Sequence, residues 1–370
     1  MLTDEGRFSM RGLLPGLLGA LMVASSVVAG PIDMGEPFPK VELPAPLEAQ
    51  QREYLGLTDD QPFTLDQVAG KVVLVEVMNV LCPHCERQTG PYNQLYKMIE
   101  SDPAMRGKVK MLGVAVANSD EQIDDFALIY GVRFPIVPDR SFALHEAIRG
   151  GPTPFSIYVL RDQPGDVGVV AGTHLGEDRE MDSLFEYFAY LLTTDMAEFA
   201  LPESELPTVA TALVPPQSDA ELETLVRSSF AAQGDAMEDF RRLELDSGRH
   251  VFTASVVRDG ERQPLFAEIT SRSAICDVCH DVHFFYVFDR QGMILAFEPL
   301  HLTKYGNVEW NEAEVAGFAR RVLGRPLVAG WNFDPQTDAV SSATMTSAII
   351  FNSLDRGEEL LEELREQGRL

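Results

Sequence analysis

The four cysteines of this 370-residue chain come as two pairs, Cys82 and Cys85 in "VLCPHCERQ" and Cys276 and Cys279 in "ICDVCHDVH". A disulfide gains most by closing a long loop, and Cys-x-x-Cys closes almost nothing. Each pair is therefore a poor staple and a good redox or metal element. Cys82 stands where an apolar strand hands over to a helix. Free N–H groups and a partial positive charge at the helix start lower a thiol pKa there. His84 can add charge or a hydrogen bond, and Cys85, one turn on, can share its S–H. Cys82 is the expected nucleophile and Cys85 the resolving thiol. Pro83 shapes the first turn without removing a needed N–H.

The elements that must hold this site are legible as patterns. "KVVLVEVM" (Lys71 to Met78) and "KVKMLGVAVA" (Lys108 to Ala117) are nearly continuous apolar runs suited to a buried sheet. "SDEQIDDFALIYG" opens on a helix cap and ends at Gly131, and "SFALHEAIRGG" reads as a short helix. "FSIYVLRDQPGDVGVVAGTHLG" reads as two strands about a turn, and Glu180 to Leu192 as an amphipathic helix. The alternation points to an α/β layer, a central sheet flanked by helices. Four prolines between residues 195 and 218 mark a linker. Beyond it, Asp219 to Leu243 reads as helix, Val251 to Leu300 mostly as strands with a hairpin, and Ser347 to Arg369 as helix. The expected division is 1–29 export signal, 30–194 α/β domain, 195–218 linker and 219–370 a C-terminal α+β domain.

"FTLDQVAGKVVLVEVMNVLCPHC" and "GGPTPFSIYVL" resemble the thioredoxin superfamily, in its exported, peroxiredoxin-like branch, over roughly residues 35 to 192. The resemblance implies a thioredoxin-like fold and thiol–disulfide oxidoreductase activity. It also implies a cis-proline facing the reactive sulfur, matched here to Pro152, with Pro154 a nearby competitor, and a free backbone edge for a substrate peptide. Glu76 matches the buried acid beneath the site in many thioredoxins. Desolvation there raises a carboxyl pKa and lets it take the proton from Cys85; the alternative is an edge carboxylate reaching solvent. Two positions depart from the family: Leu81 replaces the usual tryptophan, and the helix proline, Pro91, comes one residue late.

For the second pair three readings stay open: a dithiol or disulfide exchanging electrons with Cys82 and Cys85, haem c attachment with His280 as axial ligand, or zinc at Cys276, Cys279 and a histidine. "TDAVSSATMTSAIIFNSL" (Thr337 to Leu354), with the hairpin "YVFDRQGMILAFEP", resembles the FMN-binding domain of membrane redox complexes over roughly residues 250 to 355. The matching residues are Asp338, Val340, Ser341, Ala343 and Thr344. That resemblance implies FMN bound near Asp338 and Ser341 and held through a phosphoester at Thr344. Ser342 stands where the family has a glycine that permits a tight turn.

A net charge of −27 argues against a nucleic-acid surface. Arg7 and Arg11 precede the apolar run Leu13 to Ala29, so cleavage after Ala29 and a periplasmic or otherwise extracytoplasmic location are expected, with a retained membrane anchor as the alternative. The expected partners are a protein disulfide or dithiol substrate and a membrane electron donor.

Overall fold

The computed structural model describes residues 30–163, 165–207, 213–258, 260–276 and 280–370. The expected export signal and Cys279 lie outside the described residues.

After the short helix α1 (Ala49–Leu55), the N-terminal region builds one sheet from β1 (Val72–Met78), β2 (Val109–Val116), β3 (Ile136–Asp139), β4 (Phe155–Leu160) and β5 (Val169–Leu175). Its order is β3-β2-β1-β4-β5, with β1 parallel to β2 and antiparallel to β4. Every residue of β1 and β2 is buried, which is why both read as unbroken apolar runs rather than alternating ones. Val73, Val75 and Val77 face one apolar layer, and Val72, Leu74 and Met78 face another. The second layer is covered by α2 (Pro83–Ser101), α3 (Asp120–Tyr130) and α5 (Met181–Leu191). The first is covered in part by α4 (Ala143–Ala147) and the loops after α1. β3 escapes a reading by periodicity because it is four residues long and contains Pro138; its place at the sheet edge tolerates the missing N–H.

The chain then runs back along its own N-terminal part. The Met196 N–H donates to Asp162 at 2.9 Å and the Leu201 N–H to the Gly35 carbonyl at 2.9 Å. α6 (Asp219–Ala231) follows, capped by Ser218 and Glu221. The helical reading of Asp219 to Leu243 fails beyond Ala231, where β6 (Ala236–Leu243) begins. Gly234 explains the break. A Cβ there would lie 2.4 Å from the Val257 carbonyl oxygen, so the chain turns on a glycine pressed against the strand it joins.

β6 starts an antiparallel meander with β7 (His250–Arg258), β8 (Glu261–Arg272), β9 (Val282–Asp289) and β10 (Ile294–His301), in the order β10-β9-β8-β7-β6. A small ribbon pairs β11 (Thr303–Lys304) with β12 (Val308–Glu309). One face of the meander packs on α6 through Leu222, Val226 and Phe230. The other packs on α7 (Glu312–Val322), α8 (Thr344–Asp355) and α9 (Gly357–Glu366). The helix expected over Ser347 to Arg369 is two helices, broken at Arg356; Gly357 opens the second, where a Cβ would sit 2.7 Å from Leu327. This second apolar layer is continuous with the first layer of the N-terminal sheet: one cluster runs from Val75 through Phe142 and Ile148 to Ile275, Phe284 and Phe351.

Candidate functional site: a dithiol beneath the second domain

Cys82 is the N-cap of α2 and Pro83 its first residue. The loop from β1 is fixed by Asn79, whose side-chain amide donates to the Val116 carbonyl at 2.7 Å and whose side-chain oxygen accepts from the Leu81 N–H at 2.8 Å. Cys82 and Cys85 are both free thiols. A hydrogen bond from the Cys85 thiol is the largest of the effects that lower the Cys82 pKa, to about 6; burial opposes it, and the backbone N–H groups of Cys85 and His84 add to it. Burial pushes the Cys85 thiol well above the usual range. The pair is thus polarised, one sulfur anionic at neutral pH and the other holding its proton.

Glu76 is 2% exposed, so the solvent-reaching alternative does not apply. Burial raises its pKa to about 8, with the Cys82 charge adding to the effect. One of its carboxyl oxygens has no hydrogen-bond partner among the described residues. An unpaired buried carboxyl is costly as an anion, and a proton is its cheapest partner.

Two expectations need correction. The cis peptide joins Thr153 to Pro154, so Pro154, not Pro152, holds the position facing the sulfur. Pro154 directly precedes β4, whose Phe155 pairs with Val77 at the end of β1. That register sets the Thr153 carbonyl 3.4 Å from the Cys82 sulfur, while Pro152 lines a cleft between the domains. The His84 side chain does not turn toward Cys82. Its ring Nδ1 lies 2.8 Å from Glu177 and 2.8 Å from Arg87, so it acts on Cys82 through its backbone N–H alone.

The remaining residues of interest lie in the second domain. Cys276 is disulfide-bonded. His280 sits beside His301, ring nitrogens 3.3 Å apart, and its N–H donates to the Thr303 hydroxyl at 3.3 Å. No group of three or more His, Cys, Asp or Glu that could hold a metal occurs among the described residues. In the hydroxyl-rich segment, Ser342 adopts φ +62°, the left-handed conformation a glycine would take, so the turn survives the substitution. Ser341 is exposed, and Thr344 is half-buried at the first position of α8. Asp338 caps its own loop by accepting the Asp334 N–H at 3.0 Å. Met345 packs against the apolar layer that contains Cys82.

Sequence reasoning missed two residues that matter. Thr153 donates its N–H, at 3.3 Å, and its hydroxyl, at 3.0 Å, to the carbonyl of Ile275, the residue before Cys276. His145, fully buried, bridges the Gly151 carbonyl at 2.9 Å and the Ser273 hydroxyl at 3.0 Å. A lone histidine and a threonine between prolines carry no signal of a domain contact. Only the fold makes them neighbours of the second cysteine segment.

With this geometry in place the relatives become informative. Residues 34–157 match the AhpC/TSA family. The AhpC/TSA-like region covers β1, α2, both free cysteines and the Thr153–Pro154 loop, and its sheet is the thioredoxin-like α/β layer expected above. Two curated relatives are named thiol-disulfide oxidoreductase ResA. The one from Geobacillus kaustophilus is 31% identical over 117 residues, covering 31% of this chain and 63% of the relative. The one from Geobacillus thermodenitrificans is 30% identical over 115 residues, covering 31% and 62%. The chain thus spans less than two thirds of the length of either. Among solved structures, StoA from Bacillus subtilis is similar at 19% identity and a TM-score of 0.31, covering 41% of this chain and 99% of that one. A putative thiol:disulfide interchange protein DsbE from Chlorobium tepidum is similar at 17% identity and a TM-score of 0.34, covering 44% and 99%. The C-terminal domain is sheet-rich and lies outside the AhpC/TSA match.

Proposed function

We propose that the chain is an extracytoplasmic thiol–disulfide oxidoreductase working on protein disulfides through Cys82 and Cys85. The observation that carries this reading is the polarised pair: a Cys82 thiol brought down to about 6 beside a Cys85 thiol held up by burial, at the start of α2. The curated relatives' names support the same chemistry. The Cys82 thiolate attacks a substrate disulfide, forming a mixed disulfide and expelling the other substrate sulfur as a thiolate. Cys85 then loses its proton and attacks Cys82, closing the Cys82–Cys85 disulfide and freeing the reduced substrate. Glu76 is suited to take the Cys85 proton at that moment. The Cys82 charge helps hold the Glu76 pKa up, and that charge disappears when Cys82 enters the mixed disulfide. The Glu76 pKa then falls, so more of the carboxyl stands ionised and able to accept a proton when Cys85 must lose one. In this reading residues 1–29 export the chain, and a membrane electron donor recharges the pair. Reduction of a model protein disulfide tests it: wild type turns the substrate over, and Cys82→Ser at wild-type rate overturns the assignment.

A second reading, electron transfer through a flavin at Thr344, is favoured by one observation, the left-handed turn at Ser342 just before an accessible Thr344. Asp338, Ser341 and Thr344 would hold the group, which would supply redox capacity beside the layer containing Cys82. The intact mass and visible spectrum of the purified chain decide it. A mass increase that Thr344→Ala abolishes supports the flavin, and an unmodified colourless chain overturns it.

A further inference from the structure

We propose that the Cys276 disulfide is an internal substrate of Cys82, so that electrons pass between the two domains of one chain. The proposal rests on the exchange chemistry above and names a partner for it. Peptide substrates that add to a free backbone edge are held by main-chain hydrogen bonds, with the side chains beside them read in turn. Here that edge, at Thr153, is already taken. Both donors of Thr153 converge on the Ile275 carbonyl, while the carbonyl of the same Thr153 faces the Cys82 sulfur. One residue therefore touches the nucleophile on one side and the chain next to Cys276 on the other.

The docked segment is pinned on both flanks. Before it, Ser273 bonds His145, and Arg272 reaches Glu146 at 3.7 Å. After it, Asp281 accepts the Ala274 N–H at 2.9 Å, and the His280 N–H holds Thr303. Gly150 permits the approach: a Cβ there would already be 3.2 Å from the Ser273 hydroxyl. Ile275 is 1% exposed and belongs to the core shared by both domains. Cys82 is 5% exposed, and the Thr153 that faces its sulfur is bonded to Ile275. Cys276 also lines the interdomain cleft of about 1070 Å³, with Gly151, Pro152, Arg249 and Arg272.

From Cys82 and Cys85 as free thiols to the Cys276 disulfide, the exchange balances in two steps. The Cys82 thiolate attacks the Cys276 sulfur, the disulfide there breaks, and the departing sulfur leaves as a thiolate that takes a proton. Cys85 gives up its proton and attacks Cys82, closing the Cys82–Cys85 disulfide and releasing Cys276 as a thiolate. Two electrons and the one proton of Cys85 leave the first pair, the negative charge passes from Cys82 to Cys276, and no other reactant is consumed.

The test uses the full chain with Cys85→Ser and Cys279→Ser together, leaving one thiol at each end of the relay. The dilute variant is treated with oxidised glutathione, denatured, digested and mapped by mass. The expected result is a cross-linked peptide pair joining Cys82 to Cys276 in most molecules. Separate glutathione adducts on Cys82 and Cys276, in a chain whose circular dichroism matches wild type, would overturn the relay. If that variant misfolds, wild type trapped with acid during oxidation of its reduced form is mapped for the same cross-link; its absence at every time point counts equally against the proposal. The exchange reading has its own readout, wild type against Cys82→Ser on a model disulfide, and can stand while the relay falls.

Discussion

Cys82 and Glu76 show how far a residue's chemistry departs from its type once its surroundings are fixed. Because the Cys82 pKa is lowered to about 6, its alkylation rate should hold steady above that pH and fall about tenfold per unit below it. Rates measured with iodoacetamide across the range check this, and a midpoint near 9.0, the ordinary value of a cysteine thiol, would contradict it. The His84 ring is held by Glu177 and Arg87, so His84→Gln should leave that midpoint nearly unmoved. Glu76 works in the opposite sense on stability. Its pKa is raised from 4.5 to about 8, so its contribution to stability is intact below about 4.5 and is lost as pH rises through about 8. Glu76→Gln removes that loss. In a Cys82→Ser background, where the thiolate no longer contributes, the Gln variant should gain a few kcal/mol on its Glu parent between about pH 4 and pH 9 in urea melts. Desolvation, the larger cause, survives in that background, so equal pH slopes would mean the carboxyl is not buried. The placement of Cys82 and Cys85 at the start of α2 was legible because the apolar strand before them and the helical pattern after them are local signals. The direction of the His84 ring was not, because it depends on Glu177, far away in sequence and brought near only by the fold.

At the scale of elements, local signals served where they were strong. The capping boxes at Ser119 and Ser218 are present as their sequences suggest, each satisfying helix-end donors reciprocally. They failed where a distant strand decided the outcome. The residues after Ala231 continue a helical pattern, yet they become β6 because Gly234 is pressed against Val257 and β7 offers a ladder. The choice between Pro152 and Pro154 was likewise beyond local reading; the register of β4 on β1 settles it. Ser342 illustrates a turn kept at a cost. A non-glycine residue in the left-handed region loses roughly 1–2 kcal/mol, against which glycine's extra unfolded-state freedom costs about 0.5–1 kcal/mol. Ser342→Gly should therefore stabilise the protein by up to about 1 kcal/mol, seen as a higher urea midpoint with unchanged slope. A destabilised variant would show that the serine side chain holds the turn.

For the molecule as a whole, the decisive feature is a core that does not stop at the domain boundary. Val75, Phe142, Ile275, Phe284 and Phe351 belong to one apolar cluster, and Arg140–Asp355 and Arg272–Glu146 pairs cross the same junction. Calorimetry of the full chain should accordingly show one cooperative transition, and two well-separated ones would mean that the halves fold independently. What the amino-acid order determined alone is the chemistry and its cradle. Two thiols at that spacing, after a buried strand and before a helix, and a carboxylate within the strand, are facts of local covalent neighbourhood and hydrophobic pattern. What only the tertiary structure decided is who meets whom. Thr153 and Ile275 lie over a hundred residues apart, and their hydrogen bonds exist because two sheets bury their apolar faces in one shared core, a packing outcome that no local pattern encodes.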